Sequence, residues 1–445
     1  KASAGVVAVF TGADVAGLGQ LPINPVLPLA NRPAYPILAL GEVCAVGQAV
    51  AAVVATDGIS AADAAELVMV EIDEQTPSVT ADGQPVFEQH WSSGDVDAAF
   101  ANAHHIVDAQ IRHPRLAPCS LEPRGIVAHV TEHADEQAGL TTIWLSTQTP
   151  HRTRDHLAEI LDVDPDQLRV IAPDVGGAFG MKASLYPEEV LVAWAARHLG
   201  KTLRWTASRS EDFLSATHGR GGNSTGELAF DEAGRFLALR AHMNCPLGHW
   251  LPNSAAIPAW NAGRILPGPY QINALDISTS AAPSHTAPVG IYRGAGRPEA
   301  AALMERLVDK AAQRLAICPF EIRRRNVLRP EKLPLASVTG AVLDSGCYAA
   351  LLLKLARQSE YDALIANVSE RRTHGELVGV GLALYVEPCG QGWESARVTI
   401  NPGGQIIVAT GGSNQGQSRE AVLASLVAEV FDVSSGDVRV YCGDT

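Results

Sequence analysis

The sequence predicts a mixed α/β fold of the α+β class, spread over several domains, and three observations carry that expectation. The chain has 445 residues, enough for about three domains at roughly 150 residues each. Short Val/Ala-rich runs of strand character alternate with stretches whose apolar residues recur every three to four positions, the period of a helix. Loops rich in Gly, Ser, Asn and Pro follow several of the strand-like runs, and no short-period repeat points to a solenoid.

The elements follow in order. Residues 5–10 (Gly-Val-Val-Ala-Val-Phe) read as a strand, closed by Thr-Gly-Ala-Asp at a helix start. Residues 50–55 read as a buried strand, 60–68 as a helix capped by Ser60, and 69–72 as a return to strand. That completes an α/β unit by residue 78, and 79–96 reads as a linker. The second region, 97–330, holds a strand at 142–147, a helix at 152–161 and a strand at 168–172. A helix at 186–199 stopped by Gly200 follows, then a long helix at 300–317 with Leu303, Leu307, Ala311 and Leu315 on one face. Residues 329–346 read as a connector. A third region, 375–445, has a strand from about Leu377, a strand at 406–409, a helix at 420–431 and a final strand from Val438.

Composition excludes several classes. The net charge is −14, and an acidic chain lacks the basic face that neutralises nucleic-acid phosphates. Charged residues are 18% of the chain and hydrophobic ones 47%, which implies either a large interior or broad subunit interfaces. The longest apolar stretch, residues 43–55, is interrupted by Gly47 and Gln48 and is shorter than the ~20 residues of a membrane span. The chain opens Lys-Ala-Ser-Ala-Gly, with neither an initiator Met nor a secretory leader, and reads as a piece of a longer polypeptide. Seven scattered cysteines without a C-x-x-C pair exclude a cysteine-ligated iron–sulfur cluster or structural zinc here. They fit small buried thiols in a reducing, cytoplasmic compartment.

Four stretches carry chemistry. Asp174-Val-Gly-Gly-Ala-Phe-Gly-Met-Lys182 joins a strand to a helix; its glycines let backbone amides approach an anion, though a plain tight turn is the alternative. Ile291-Tyr-Arg-Gly-Ala-Gly-Arg-Pro-Glu299 sets two arginines around a flexible turn, either an anion anchor or a helix entry with solvated arginines. Gly411-Gly-Ser-Asn-Gln-Gly-Gln417 offers amides that donate and accept, or is a solvated loop. Ser146-Thr-Gln-Thr-Pro-His151 ends a strand with Gln148, which alone would read as a surface amide.

In this order and spacing, and together with Leu121-Glu-Pro-Arg and the run from Gly41 to Ala55, these stretches resemble the large molybdopterin-binding subunit of the molybdenum hydroxylases. That family includes xanthine oxidase, aldehyde oxidoreductase and carbon monoxide dehydrogenase; the chain is most like bacterial members that oxidise aldehydes or N-heterocycles. The resemblance implies an α/β hammerhead domain at 1–78, a first molybdopterin-binding domain at 97–330 and the start of a second at 375–445. It implies that Gln148 hydrogen-bonds an oxo ligand of molybdenum. Phe179 and Gly180 line the metal site, with the amides of Gly176, Gly177 and Ala178 beside the pterin. Arg293, with Gly294, Ala295 and Gly296, holds the pterin or its surroundings, and Gln415, Gly416 and Gln417 hold the pterin or its phosphate. Gln148, Phe179 and Arg293 are thereby the catalytic candidates and the surroundings of the metal.

The implied cofactor is molybdenum–molybdopterin in the cytosine dinucleotide form, with [2Fe–2S] clusters on a small partner subunit and FAD on a medium one. The implied reaction hydroxylates an aldehyde or N-heteroaromatic substrate at carbon with oxygen from water. Its general-base glutamate is expected beyond Thr445, in the same chain or on a second polypeptide, so this piece alone is expected to be inactive. Ala183 and Ala295 stand where xanthine oxidases carry Glu and Phe, which disfavours a purine. Gly294 replaces the copper-binding cysteine of carbon monoxide dehydrogenases, and Ser418 replaces a family glycine. The alternatives are a non-catalytic cofactor-binding or assembly module, or a divergent carbon monoxide dehydrogenase-like subunit.

Overall fold

Strand-forming Val and Ala runs find partners far along the chain, and this pairing sets the architecture. The computed structural model describes all residues except 26, 31, 81–82, 132–138, 389 and 391–392. At the N-terminus β1 (Val6–Thr11) and β2 (Ala51–Ala55) pair antiparallel, and α1 (Gly58–Glu66) follows. Asp57, not Ser60, caps α1: its carboxylate accepts the Ser60 N–H at 2.9 Å. Residues 69–72, expected as a strand, pair with no strand among the described residues, and Met69 is 94% exposed; a β-propensity run forms a strand only where a ladder partner lies beside it.

Part of the expected linker is instead a strand, β3 (Phe87–Ser93). It alternates buried Phe87 and half-buried Trp91 with exposed Glu88, as an edge strand does, and its Gln, His and Ser hid that pattern. β3 borders a five-stranded sheet with β4 (His105–Arg112), β9 (Asn223–Phe230), β10 (Phe236–Gly248) and β11 (Ala274–Pro283), in the order β3-β11-β10-β9-β4. The intervening β5 (Gly125–Val130), β6 (Thr141–Leu145), β7 (Leu168–Ile171) and β8 (Leu203–Thr206) make a second sheet, ordered β7-β6-β5-β8. Helices α2 (Pro150–Leu161) and α3 (Pro187–Leu199) bury Leu157, Ile160, Val190 and Ala193 with Ile126 and Ile143 of this sheet. α4 (Ile257–Ile265) and α5 (Arg297–Leu315) cover the five-stranded sheet, where Leu303 and Leu307 meet Leu228, Leu239 and Ile277.

The strand expected from Leu377 is absent; residues 377–388 are irregular, and the strand lies later, at β12 (Ala396–Ile400). β12, β13 (Ile406–Thr410) and β14 (Val438–Cys442) form a third sheet against α6 (Arg419–Phe431). Three cysteines break the expectation of burial: Cys119, Cys318 and Cys347 are exposed, the last two at helix entries, and Cys389 lies outside the described residues. Among the described residues no helix is long and apolar enough to cross a membrane.

Candidate active site

Two parallel strand pairs aim the loops. β6 runs parallel to β7, and β13 parallel to β14, so the segments after β6, β7 and β13 leave their C-terminal ends, where α/β proteins commonly place ligands. Four sequence-distant stretches meet there. The Gly180 N–H donates to Gln148 Oε1 at 3.0 Å, and the Gln148 N–H to the Lys182 carbonyl at 2.9 Å. The Arg293 N–H donates to the Phe179 carbonyl at 3.0 Å. Ser413 Oγ donates to the Thr147 carbonyl at 3.2 Å, and the Val175 N–H to the Asn414 carbonyl at 3.1 Å.

The backbone here is strained. Phe179 (φ +55°) and Ala295 (φ +41°) are left-handed, a conformation that costs a non-glycine residue about 1–2 kcal/mol. Gly180 has φ +100°, and a Cβ on it would lie 2.5 Å from the Ile291 carbonyl oxygen. No other residue fits between the two loops.

Donors outnumber acceptors in the opening. With Oε1 of Gln148 held by Gly180, its Nε2 carries two N–H groups without a partner among the described residues; the hydrogen-bond network fixes that orientation. Among the described residues, the Ala178 and Phe179 amides and the exposed Arg293 guanidinium are also unpartnered. Other predicted groups are engaged within the protein. Gly176 donates to Glu122 Oε2 at 2.5 Å and Gly177 to the Val175 carbonyl at 2.8 Å. Gln417 Oε1 accepts the Gln415 N–H at 2.6 Å while its Nε2 donates to the Ser413 carbonyl at 3.1 Å. Gly294, Gly296 and Gly416 are left-handed turn points of the same loops. These unpartnered donors, gathered with one buried unpartnered acceptor, Asn414 Oδ1, suit an anionic group with many acceptor atoms that also carries a donor, as a pterin with its phosphate does.

Three residues not singled out from the sequence hold this arrangement. Glu122 binds Ser146 Oγ, the Gly176 amide and Lys182 Nζ. Burial alone would raise its carboxyl pKa, but these hydrogen bonds outweigh burial and hold it below its usual value. Burial pushes the Lys182 ammonium down, against the pull of Glu122. Arg220, itself left-handed at φ +62°, donates to the Tyr292 and Arg293 carbonyls at 3.1 and 2.8 Å and lies 3.3 Å from Glu299. Glu122 and Lys182 lay within quoted stretches, Leu121-Glu-Pro-Arg and Asp174 to Lys182, whereas Arg220 had no signal. Beside the 292–297 turn, a cavity of about 770 Å³ is lined by Asn261, Arg264, Tyr270, Arg297 and Glu387 among others, a size that admits a small molecule.

Residues 78–327 match the model of the molybdopterin cofactor-binding domain, residues 354–445 a second model of that description, and residues 1–76 the aldehyde oxidase and xanthine dehydrogenase a/b hammerhead domain. The chain is similar to the nicotine 6-hydroxylase large subunit of Paenarthrobacter nicotinovorans, at 31% identity over 92% of this chain and 53% of that protein. It is also similar to the carbon monoxide dehydrogenase large chain of Hydrogenophaga pseudoflava, at 32% identity over 99% of this chain and 60% of the relative. Quinoline 2-oxidoreductase from Pseudomonas putida 86 matches it with a TM-score of 0.93 and 32% identity, covering 100% of this chain and 60% of that one. The chain thus spans about half to three-fifths of the length of these relatives. With these models following one another along the same residues that build the donor-lined cradle, the protein belongs to the family of molybdenum hydroxylase large subunits.

Proposed function

We propose that the protein is the molybdopterin-cradling part of a multi-subunit oxidoreductase that hydroxylates an N-heteroaromatic substrate, or an aldehyde, at carbon with oxygen from water. One observation carries this reading: the Gly180–Gln148 bond, which occupies Gln148 Oε1 next to Phe179 and leaves the Nε2 donors without a partner among the described residues. When bound, the molybdenum cofactor supplies the two-electron redox chemistry and the oxygen transfer. Gln148 donates a hydrogen bond to an oxo acceptor, and the Ala178 and Phe179 amides with Arg293 bind the pterin side. The Phe179 ring, 45% exposed, flanks a planar substrate. Ala183 and Ala295 offer neither a carboxylate nor a ring to grip a purine. The names of relatives that act on nicotine and quinoline support a nitrogen heterocycle.

The reading extends to a hammerhead domain at 1–78, molybdopterin domains at 97–330 and from 375, and the cytosine dinucleotide form of the pterin. It includes a cytoplasmic location and partner subunits carrying [2Fe–2S] clusters and FAD. The general-base glutamate comes from polypeptide outside these 445 residues, so this stretch alone is inactive. The test is made on the complete enzyme assembled with its partners. Gln148→Ala lowers kcat roughly 10²–10³-fold, as loss of a transition-state donor does, while Arg293→Ala lowers molybdenum and pterin content. Full turnover and full metal content in both variants would overturn the assignment.

A further inference from the structure

We propose that Glu122 is a positioning residue: with Lys182 as its counter-ion, it fixes the 176–180 loop and, through Lys182, the backbone of Gln148. The contacts form a closed circuit. The Glu122 N–H donates to the Gly176 carbonyl at 3.1 Å, and the Gly176 N–H returns to Glu122 Oε2 at 2.5 Å. Glu122 Cβ lies 2.5 Å from where a Gly176 side chain would start, so the glutamate stem packs directly on the glycine. The other carboxylate oxygen accepts from Ser146 Oγ at 2.7 Å, two residues before Gln148. Lys182 Nζ sits 3.0 Å from Oε2 and 2.9 Å from the Glu122 carbonyl, while the Lys182 carbonyl receives the Gln148 N–H at 2.9 Å. One side chain therefore ties together three stretches spread over residues 122–182.

Electrostatics explains why the residue is a carboxylate with a lysine behind it. A lone carboxylate under a site for an anionic group would repel that group. Lys182, whose side chain is 0% exposed, cancels the charge from below, so the pair holds the loop at zero net charge. Arg293 and the free amides then face the ligand undiminished. Removing Glu122 strands a buried ammonium and frees the Gly176 amide at once.

The inference rests on reading the loops as a cofactor cradle, and the test separates the two. In the complete enzyme, Glu122→Gln and Glu122→Ala are compared with wild type by hydrogen exchange at residues 176–180, molybdenum content and steady-state kinetics. Exchange rises roughly ten- to a hundredfold in Glu122→Ala and less in Glu122→Gln, which keeps the shape. kcat falls at least about tenfold while KM stays within about twofold, the signature of misplaced rather than missing binding groups. Adding Lys182→Met to Glu122→Gln recovers part of the loss, because no unpaired charge remains. Wild-type exchange and kcat in Glu122→Ala would overturn the proposal, and absence of recovery in the double variant would overturn the counter-ion role. If the Glu122 variants do not fold, Ser146→Ala removes one bond alone, and unchanged loop exchange there is likewise fatal. Should the wild-type enzyme hold no molybdenum or pterin, the cofactor reading falls while the exchange comparison still decides the clasp.

Discussion

Gly180 shows how little latitude single positions have at this site. It combines φ +100° with a close approach to Ile291, whereas Gly404, at φ +81°, has open space around it. Gly404→Ala meets only the backbone preference, about 1 kcal/mol. Gly180→Ala adds a backbone clash and is expected to cost about 2 kcal/mol more, read from urea denaturation midpoints; equal costs would show that Ile291 gives way. Gln148, Phe179 and Arg293 drew attention because they sit inside unusual local strings, and the structure brings those strings together. Arg220 was not, since it acts on carbonyls 72 and 73 residues away, and nothing in its neighbours announces that contact.

Helix α3 carries one contribution to the pH dependence. The Tyr186 N–H at its start donates to Glu189 Oε2 at 3.0 Å. Glu189 is buried, and burial raises its pKa from 4.5 to about 8, against the pull of the Tyr186 amide and Arg124. Between those two values the folded protein binds more protons than the unfolded chain, so this group lowers stability as pH rises from about 4.5 to 8 and the full penalty stands above 8. Glu189→Gln keeps the acceptor for Tyr186 and removes this group's titration, so stability falls less steeply, or rises more, with pH over that window than in wild type, measured by melting temperature against pH. A variant with the wild-type slope would show that Glu189 contributes nothing to the pH dependence. Elements such as α3 and α5 were readable within a residue or three, because their apolar spacing and flanking glycines are local. β3 and the five-stranded sheet were not: strand pairing is decided by partners such as Phe87 and Ala281, nearly two hundred residues apart.

Across the whole molecule, the seam between the second and third sheets holds the cradle shut. Ala172 donates to the Gly443 carbonyl at 2.7 Å and Thr445 to the Val170 carbonyl at 3.2 Å, with the Arg169–Asp444 pair alongside. That pair is half-exposed, so Asp444→Ala is expected to cost under about 1 kcal/mol. Gly443 is left-handed at φ +73°, and a Cβ there would lie 2.5 Å from the Ala172 carbonyl oxygen. Gly443→Ala is therefore expected to part the sheets and release the molybdenum cofactor, while Asp444→Ala retains it; equal metal content in both would show that the seam does not hold the third loop.

The Ser413–Thr147 bond spans 266 residues of chain. At translation speeds of about 5–20 residues per second, the Gln148 segment waits tens of seconds before its third-loop partner is made. The cradle thus has a timetable as well as a shape. Until residue 417 has left the ribosome and its sheet has paired, an arriving pterin finds walls without a back, and stable loading waits on the third sheet.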